Sequence, residues 1–151
     1  MIDSLLIPQT IIKPKTFAGL MTLYESNFIR LLKIIPDIQN IDGCFKSRGT
    51  DSSELSVEVL ETSKHTVTLS ITYILSTYEG FLSDPDMVVR AYLDGKQAEV
   101  LNIRKGKKIG ALQRFVIEHK KELDRRWRLN IILNKWLEYL FDQGHLIIEV
   151  N

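Results

Sequence analysis

Metal binding and nucleophilic catalysis use side chains at recognisable spacings, and those spacings are missing from this sequence. His65, His119 and His145 are far apart and lack the short spacing typical of zinc ligands. His119 lies among charged residues and His145 follows a predicted helix end, which favours surface positions for both. Cys44 has no catalytic signature nearby, and no Gly-x-Ser-x-Gly sequence occurs. The residue types therefore predict no metal site, no cofactor and no catalytic nucleophile.

Two further segments contain the residue types of ligand sites without the required pattern. Asp84 and Asp86 flank Pro85 and can in principle bind a cation, but an Asp-Pro sequence also opens turns, and we favour the turn. Residues 106–110 combine two glycines with two lysines, but they lack the Walker spacing and the Ser or Thr that follows it. Neither segment therefore predicts a phosphate or cation site.

A basic segment is the most uneven feature of the charge distribution. Between Arg104 and Arg128, ten Lys and Arg residues oppose three Asp and Glu residues, so this segment carries +7 and the rest of the chain −6. Phe115 and Trp127 within it can stack on bases, which suggests nucleic acid; alternatively, the segment is an amphipathic helix with a solvated basic face. The candidate contacts for an anion or nucleic acid are Arg104, Lys105, Lys107, Lys108, Arg125 and Arg126.

Two polar residues interrupt apolar patterns and indicate a more specific site. Asn27 falls within the apolar stripe of the first predicted helix, where a buried amide requires hydrogen-bond partners. Arg90 lies in an apolar strand and faces Glu99 across a predicted hairpin, so a bidentate ion pair is expected there. A second interpretation is that Arg90, Tyr92 and Glu99 line an anion-binding face.

The elements that position these residues follow from hydrophobic periodicity. Apolar residues at three-and-four spacing predict a helix from Phe17 to Ile35, which Pro36 ends, and a loop follows from Asp37 to Ser53. Alternation predicts a hairpin that pairs Val59 with Leu69 and Val57 with Ile71, with a loop of Ser63, Lys64 and His65 at an exposed tip.

A second hairpin follows a predicted loop at 78–85. Asp94-Gly95 suits a type I′ turn, and the register pairs Tyr92 with Gln97, Arg90 with Glu99, and Val89 with Val100. The last helix has an apolar stripe and ends at Gly144, a left-handed cap, and residues 146–150 are expected to add a short strand. The stripe consists of Leu129, Ile132, Leu133, Trp136, Leu137 and Leu140.

These elements predict an α+β fold: an antiparallel sheet of about four strands from two hairpins, packed by an N-terminal and a C-terminal helix. We expect a flexible arm at 1–15 and a single domain at 16–151. The 151 residues, with 44% hydrophobic and 26% charged residues, fit one globular domain. The single cysteine indicates a reducing compartment, the cytoplasm, and no apolar stretch is long enough to span a membrane.

Three short sequences carry a family resemblance. They are Leu20-Met21-x-Leu23-Tyr24-Glu25-x-Asn27-Phe28, then Asp86-Met87-x-Val89-Arg90-x-Tyr92-x-Asp94 with Ala98-Glu99-Val100, and Asn130-x-x-Leu133-x-x-Trp136-Leu137 before Gly144-His145. Together they resemble the YqiB-like family of uncharacterised bacterial proteins. The resemblance implies a small bacterial cytoplasmic protein and brings no known activity, cofactor or catalytic residue. Its polar members are our candidate ligand-binding residues: Glu25, Asn27, Arg90, Tyr92 and Glu99.

The sequence favours a non-enzymatic binding or regulatory module for an anionic ligand or a protein partner. The alternative is an enzyme that acts on a phosphorylated small molecule or nucleotide, with Arg90 binding phosphate and Glu25 or Glu99 acting as the base. A third interpretation is an assembly subunit, since the predicted loop at 78–85 contains Tyr78, Phe81 and Leu82.

Overall fold

A computed structural model describes residues 16–51, 53–77, 80–103 and 122–148. The described elements are helix α1 (Phe17–Ile34), strands β1 (Cys44–Arg48), β2 (Glu54–Thr62), β3 (Thr66–Thr77), β4 (Gly80–Tyr92) and β5 (Gln97–Ile103), and helix α2 (Glu122–Asp142). The strands form one antiparallel sheet in the order β1-β2-β3-β4-β5. The α+β prediction is therefore confirmed, with five strands rather than four. The predicted arm at 1–15 lies outside the described residues.

Helix α1 begins and ends where its sequence indicates. The Thr16 hydroxyl accepts the Gly19 N–H at 3.0 Å, which satisfies one of the free donors at the helix N-terminus. Pro36, two residues after Ile34, cannot continue the helix. The apolar stripe of α1 packs against α2 and β5, so the helix presents Asn27 to the interior as predicted.

Both hairpins have the predicted registers. Val59 pairs with Leu69 and Val57 with Ile71, and residues 63–65 form the connection. Arg90 pairs with Glu99, and Tyr92 with Gln97. The type I′ turn is wrong, however, because four residues separate Tyr92 from Gln97 and the positive φ falls on Lys96, at 55°. The registers bring Arg90 next to Thr68 on one side and Glu99 on the other.

Three predicted loops or ends differ from the structure. The loop at 37–53 contains strand β1, which pairs with β2. The loop at 78–85 is largely strand: β4 begins at Gly80, and a bulge opposite 72–74 accommodates Pro85, which has no N–H to donate to the sheet. Residues 145–148 form no strand, and the remainder of the predicted last strand lies outside the described residues.

The main core lies where α1 and α2 pack on the apolar side chains of the sheet. Alternating strand residues point into it, and a smaller cluster joins Leu20, Leu23 and Tyr24 of α1 to Trp127 of α2. Helix α2 ends at Asp142, and Gly144 follows it with a φ of +83°, which confirms the predicted left-handed cap. No helix among the described residues has the length and apolar character to cross a membrane.

Candidate functional site

Asn27 belongs to a group of buried polar side chains between the two helices, here called the amide cluster. Its members are Ser26, Asn27, Asn130 and Asn134, each at most 2% exposed. Asn134 Nδ2 donates to Asn27 Oδ1 at 3.0 Å and to Ser26 Oγ at 3.1 Å, and Asn27 Nδ2 donates to Asn130 Oδ1 at 3.2 Å. Because buried amides need such partners, the amide cluster fixes one helix against the other.

The amide cluster also bonds the edge of the sheet. Strand β5 is an edge strand, which would otherwise present unpaired backbone groups. Asn130 Oδ1 accepts the Val100 N–H at 2.9 Å, and Asn27 Nδ2 donates to the Ala98 carbonyl oxygen at 3.5 Å. The two asparagines replace part of a neighbouring strand, so the hydrogen bonds of Asn27 hold helix α1 to the sheet edge and to helix α2.

Arg90 and Glu99 lie directly opposite each other, but their expected ion pair is absent from the described contacts. The Tyr92 hydroxyl donates to Glu99 Oε1 at 2.6 Å, and Arg126 Nη1 lies 3.6 Å from Glu99 Oε2. Arg90 Nε instead donates to the Thr68 hydroxyl of β3 at 3.1 Å. The predicted cross-strand bridge is wrong because Tyr92 and Arg126 take the carboxylate.

Helix α1 adds Tyr24 to this group, and we call the six residues Tyr24, Thr68, Arg90, Tyr92, Glu99 and Arg126 the arginine site. Tyr24 is 5% exposed, and its hydroxyl lies close to Glu99 and Arg126 without making a hydrogen bond of acceptable geometry to any described residue. Burial, reinforced by the charge of Glu99 and opposed by Arg126, raises the pKa of Tyr24 to about 12. Tyr24 is therefore a protonated donor at neutral pH that lies beside Glu99 without making a hydrogen bond of standard geometry to it.

The other members of the arginine site are partly or fully shielded from water. Thr68 and Glu99 are buried, whereas Arg90 and Tyr92 are partly buried. Burial, with the hydrogen bond to Glu99 and its charge, raises the pKa of Tyr92, so this phenol also stays protonated. The arginine site thus presents several donors around one carboxylate.

The remaining sequence candidates are only partly brought to this site. Glu25 lies on the exposed face of α1, because residues two apart on a helix point about 200° away from each other, and Asn27 faces inward. Arg126 joins the arginine site, and Arg125 lies partly buried on the same helix. Arg104, Lys105, Lys107 and Lys108 lie outside the described residues. Trp127 is buried in the smaller core cluster, so the expectation that it stacks on bases is wrong.

A second polar group, here called the Asp51 cluster, escaped the sequence analysis. Its members are Ser47, Asp51, Ser53, Tyr73, Tyr139 and His145, which come from β1, the turn after it, β3, α2 and the segment after α2. Asp51 Oδ2 accepts the hydroxyls of Tyr73 at 2.7 Å and Tyr139 at 2.6 Å, and Asp51 Oδ1 accepts the Ser53 hydroxyl. The wide sequence separations left no local signal for this cluster.

The hydrogen bonds of the Asp51 cluster set its protonation states. Burial by itself would raise the pKa of Asp51, but the hydroxyls of Ser53, Tyr139 and Tyr73 hold it well below its usual range. His145 was expected at the surface and is 1% exposed instead. Its Nδ1 lies 3.0 Å from the Ser47 hydroxyl, and its Nε2 has no hydrogen-bond partner among the described residues.

Ser47 Oγ and His145 Nδ1 are as close as a catalytic nucleophile and its base, but the third group of a catalytic triad is missing from the described residues. A catalytic histidine is oriented by a third group on its second nitrogen, and Nε2 of His145 has none within the described chain. Ser47 Oγ also accepts the Leu146 N–H at 3.2 Å, which uses one of its lone pairs. No group of three His, Cys, Asp or Glu residues in the described ranges can hold a metal ion.

The fold and the site together define a small α+β protein with a polar, arginine-containing site at one side of an antiparallel sheet. The chain belongs to the DUF1249 family of proteins of unknown function, whose sequence pattern matches residues 30–146. That range includes Arg90, Tyr92, Glu99 and Arg126, whereas Tyr24 and Asn27 precede it. Neither a curated protein nor a solved structure matches the chain.

Proposed function

We propose that the protein is a non-enzymatic binding module that takes an anionic small molecule at the arginine site. The observation that carries this proposal is the partly buried guanidinium of Arg90, whose partners in the described structure are neutral. Its Nε bonds the Thr68 hydroxyl, and its nearest phenol is Tyr92. A partly desolvated cation without a carboxylate partner gains most from an anion that supplies one.

The donor types around Arg90 favour an oxyanion. A guanidinium can bind a carboxylate or a phosphate through two parallel N–H groups, and a phenolic hydroxyl can add a third donor. Tyr24 supports this assignment because its buried hydroxyl makes no hydrogen bond of standard geometry within the described chain. Arg126, which is 47% exposed, brings a second guanidinium beside Glu99.

The contacts of the two candidate bases argue against the enzymatic alternative. Glu99 receives the Tyr92 hydroxyl and pairs with Arg126, so it is not poised to remove a proton from a substrate. Glu25 points to solvent from α1, away from the arginine site. Binding without turnover is therefore the better interpretation, and a protein or nucleic-acid partner becomes an outcome of the test.

The proposal also covers the cellular location of the protein and the extent of its domain. We place it in the cytoplasm of a bacterium, on the resemblance to the YqiB-like family and the absence of a second cysteine. We also keep residues 16–151 as one domain. Anionic metabolites are abundant in that compartment as potential ligands.

The test uses inorganic phosphate, pyrophosphate and citrate as probe anions, with thermal unfolding of the full chain as the readout. A ligand that binds the native state at ten times its Kd stabilises it by about 1.4 kcal/mol, which a melting curve resolves. The variant is Arg90→Ala, and the matched control is Arg48→Ala, because Arg48 is 72% exposed on β1 and pairs only loosely with Glu54 at 3.7 Å.

The expected result is stabilisation of the wild type and of Arg48→Ala by at least one probe, reduced at higher salt and absent in Arg90→Ala. Equal stabilisation of all three proteins would locate binding elsewhere and overturn the proposal. If no probe shifts the wild type at low salt, while a nucleic acid or a protein does, the small-molecule assignment is wrong.

A further inference from the structure

The segment 145–148, which follows α2, is held to the rest of the molecule by a few specific bonds. Leu146 N–H donates to Ser47 Oγ at 3.2 Å, and Ile147 N–H donates to the Ile34 carbonyl oxygen at 2.7 Å. His145 and Ile147 are buried, whereas Leu146 and Ile148 are exposed. Because the segment has no strand or helix pairing of its own, these contacts decide whether it stays attached.

His145 is the most constrained of these contacts. Its imidazole is packed edge-on against the Tyr73 ring, with centroids 5.5 Å apart, and bonds Ser47 through Nδ1. On its other side lies Gly49, where a Cβ would come within 2.6 Å of Nε2. The glycine is required there by this close approach, which leaves Nε2 against backbone and without a partner in the described structure.

The charged and titratable groups that face His145 come from three elements. The turn after β1 contributes Asp51, β3 contributes Tyr73, and α2 contributes Tyr139, which bonds the same Asp51 carboxylate. Asp51, which accepts hydrogen bonds from three hydroxyls, favours a protonated imidazole. Burial outweighs this attraction and the hydrogen bonding to Ser47, and lowers the pKa of His145 below its ordinary value.

We propose that His145 is an acid-sensitive latch: when it takes up a proton, the segment 145–148 detaches from β1 and α1 and uncovers the core beside Tyr73. Protonation places a charge on a ring that is 1% exposed, with one nitrogen facing the Gly49 backbone. Detachment moves that charge into water at the cost of three hydrogen bonds and the burial of one isoleucine. This inference is independent of the arginine site.

The pH range follows from the direction of the shift. A histidine whose pKa is lower when attached than when detached contributes its full stabilisation above the detached value of about 6.5. That contribution is lost as the pH falls from there towards the attached pKa, so opening increases under mild acid. Asp51 is lowered in pKa and loses its own contribution only at more acidic pH, which separates the two effects.

The experiment is amide hydrogen exchange of the full chain, followed by NMR between about pH 7 and pH 5 and corrected for the intrinsic pH dependence of exchange. The reporter is the Ile147 amide, and the reference is Leu69 in the central strand β3, which reports global unfolding. We expect Ile147 to be less protected than Leu69, which marks a local opening, and its protection to fall in acid by about tenfold for each pKa unit between the attached and detached imidazole. Ile147 protection that does not change with pH, or that equals the protection of Leu69, would overturn the latch.

Two variants and one titration complete the test. His145→Gln keeps a hydrogen-bonding side chain but cannot titrate, so its Ile147 protection should not depend on pH. His65→Gln is the matched control, because His65 is 57% exposed at a hairpin tip, and it should behave as the wild type. If His145→Gln fails to fold, the wild-type ring resonances decide: His145 must titrate in the same range in which Ile147 opens, and a midpoint at or above the ordinary value contradicts the proposal.

Discussion

The amide cluster and the arginine site both involve helices α1 and α2 and strand β5, yet their polar groups are satisfied in opposite ways. In the amide cluster, both N–H groups of the Asn27 and Asn134 amides donate to oxygens within the fold. In the arginine site, Arg90 bonds a neutral hydroxyl, and the buried Tyr24 hydroxyl makes no hydrogen bond of standard geometry in the described chain.

This difference distinguishes polar groups that stabilise the fold from polar groups that are available to a ligand. A buried polar group that is fully bonded within the protein specifies packing, and a ligand could only compete with its existing partners. Donors that remain under-used cost stability in the free protein and recover it when a ligand supplies acceptors. The comparison predicts that mutations in the amide cluster change stability, whereas mutations in the arginine site change binding.

The largest effect is expected from Asn27→Ala. The change removes the acceptor of one Asn134 N–H and the donor to Asn130 and Ala98, all in the interior. Because each buried group left unpaired costs about 1–3 kcal/mol, we expect a loss of about 3 kcal/mol in urea unfolding. The matched control is Asn40→Ala, whose amide bonds Asp37 at the surface and should cost under about 0.5 kcal/mol. Equal losses in both variants would show that the amide cluster is not architectural.

Glu99→Gln should destabilise the protein less than Asn27→Ala does, and it should strengthen anion binding. The amide still accepts the Tyr92 hydroxyl but without the charge that strengthens that bond, so we expect a loss of about 1 kcal/mol. The ion pair with Arg126 adds little, because Arg126 is 47% exposed. Removing the carboxylate makes the arginine site more positive, so a probe anion should bind more tightly, by titration calorimetry. Weaker binding would mean that Glu99 contacts the ligand.

Arg90→Ala should leave the free energy of unfolding within about 1 kcal/mol of the wild type, since it removes one hydrogen bond to Thr68. The same variant should lose anion binding. If urea unfolding instead shows that the variant loses several kcal/mol of unfolding free energy, Arg90 stabilises the fold as Asn27 does.

Tyr24→Phe should have the smallest effect, and its sign is informative. The change deletes a buried hydroxyl that has no hydrogen bond in the described structure, so stability should stay constant or rise by about 1 kcal/mol. A modest loss of anion affinity is expected alongside it. Marked destabilisation in thermal unfolding would reveal a bonded hydroxyl and narrow the arginine site to Arg90 and Tyr92.

Local periodicity was sufficient for the two helices and for the registers of the two predicted hairpins. The stripe of α1, the pairing of Val57 with Ile71 and that of Arg90 with Glu99 all follow from alternation and turn spacing. Strand β1 was missed because its five residues lie between two glycines and show only a weak alternation of apolar and polar side chains. In the structure these residues form a strand because they pair with β2. The bulge at Pro85 was interpreted as a turn, because sequence alone does not distinguish the two.

The candidate site was predicted only in part, because the hydrogen-bond and ion-pair partners of each side chain depend on tertiary contacts. The sequence placed Arg90 opposite Glu99, but the choice of Thr68 by Arg90 and of Arg126 by Glu99 depends on the neighbouring strand and on α2. Glu25 and Asn27 were both candidates because they are polar members of the family resemblance, and the helix turns them apart. The Asp51 cluster draws residues from positions 47 to 145 and left no signal to detect.

The most direct test of the arginine site is to map an anion on the protein by NMR. The full chain is titrated with inorganic phosphate at low salt while backbone amides and the Arg90 Nε–H are followed. The account predicts saturable shifts that share one Kd and centre on Thr68, Arg90, Tyr92 and Glu99, with Asn27 and Asn134 unmoved. Saturable shifts centred on another surface, such as Lys46 and Arg48 on β1, or no saturable shift at all, would contradict it.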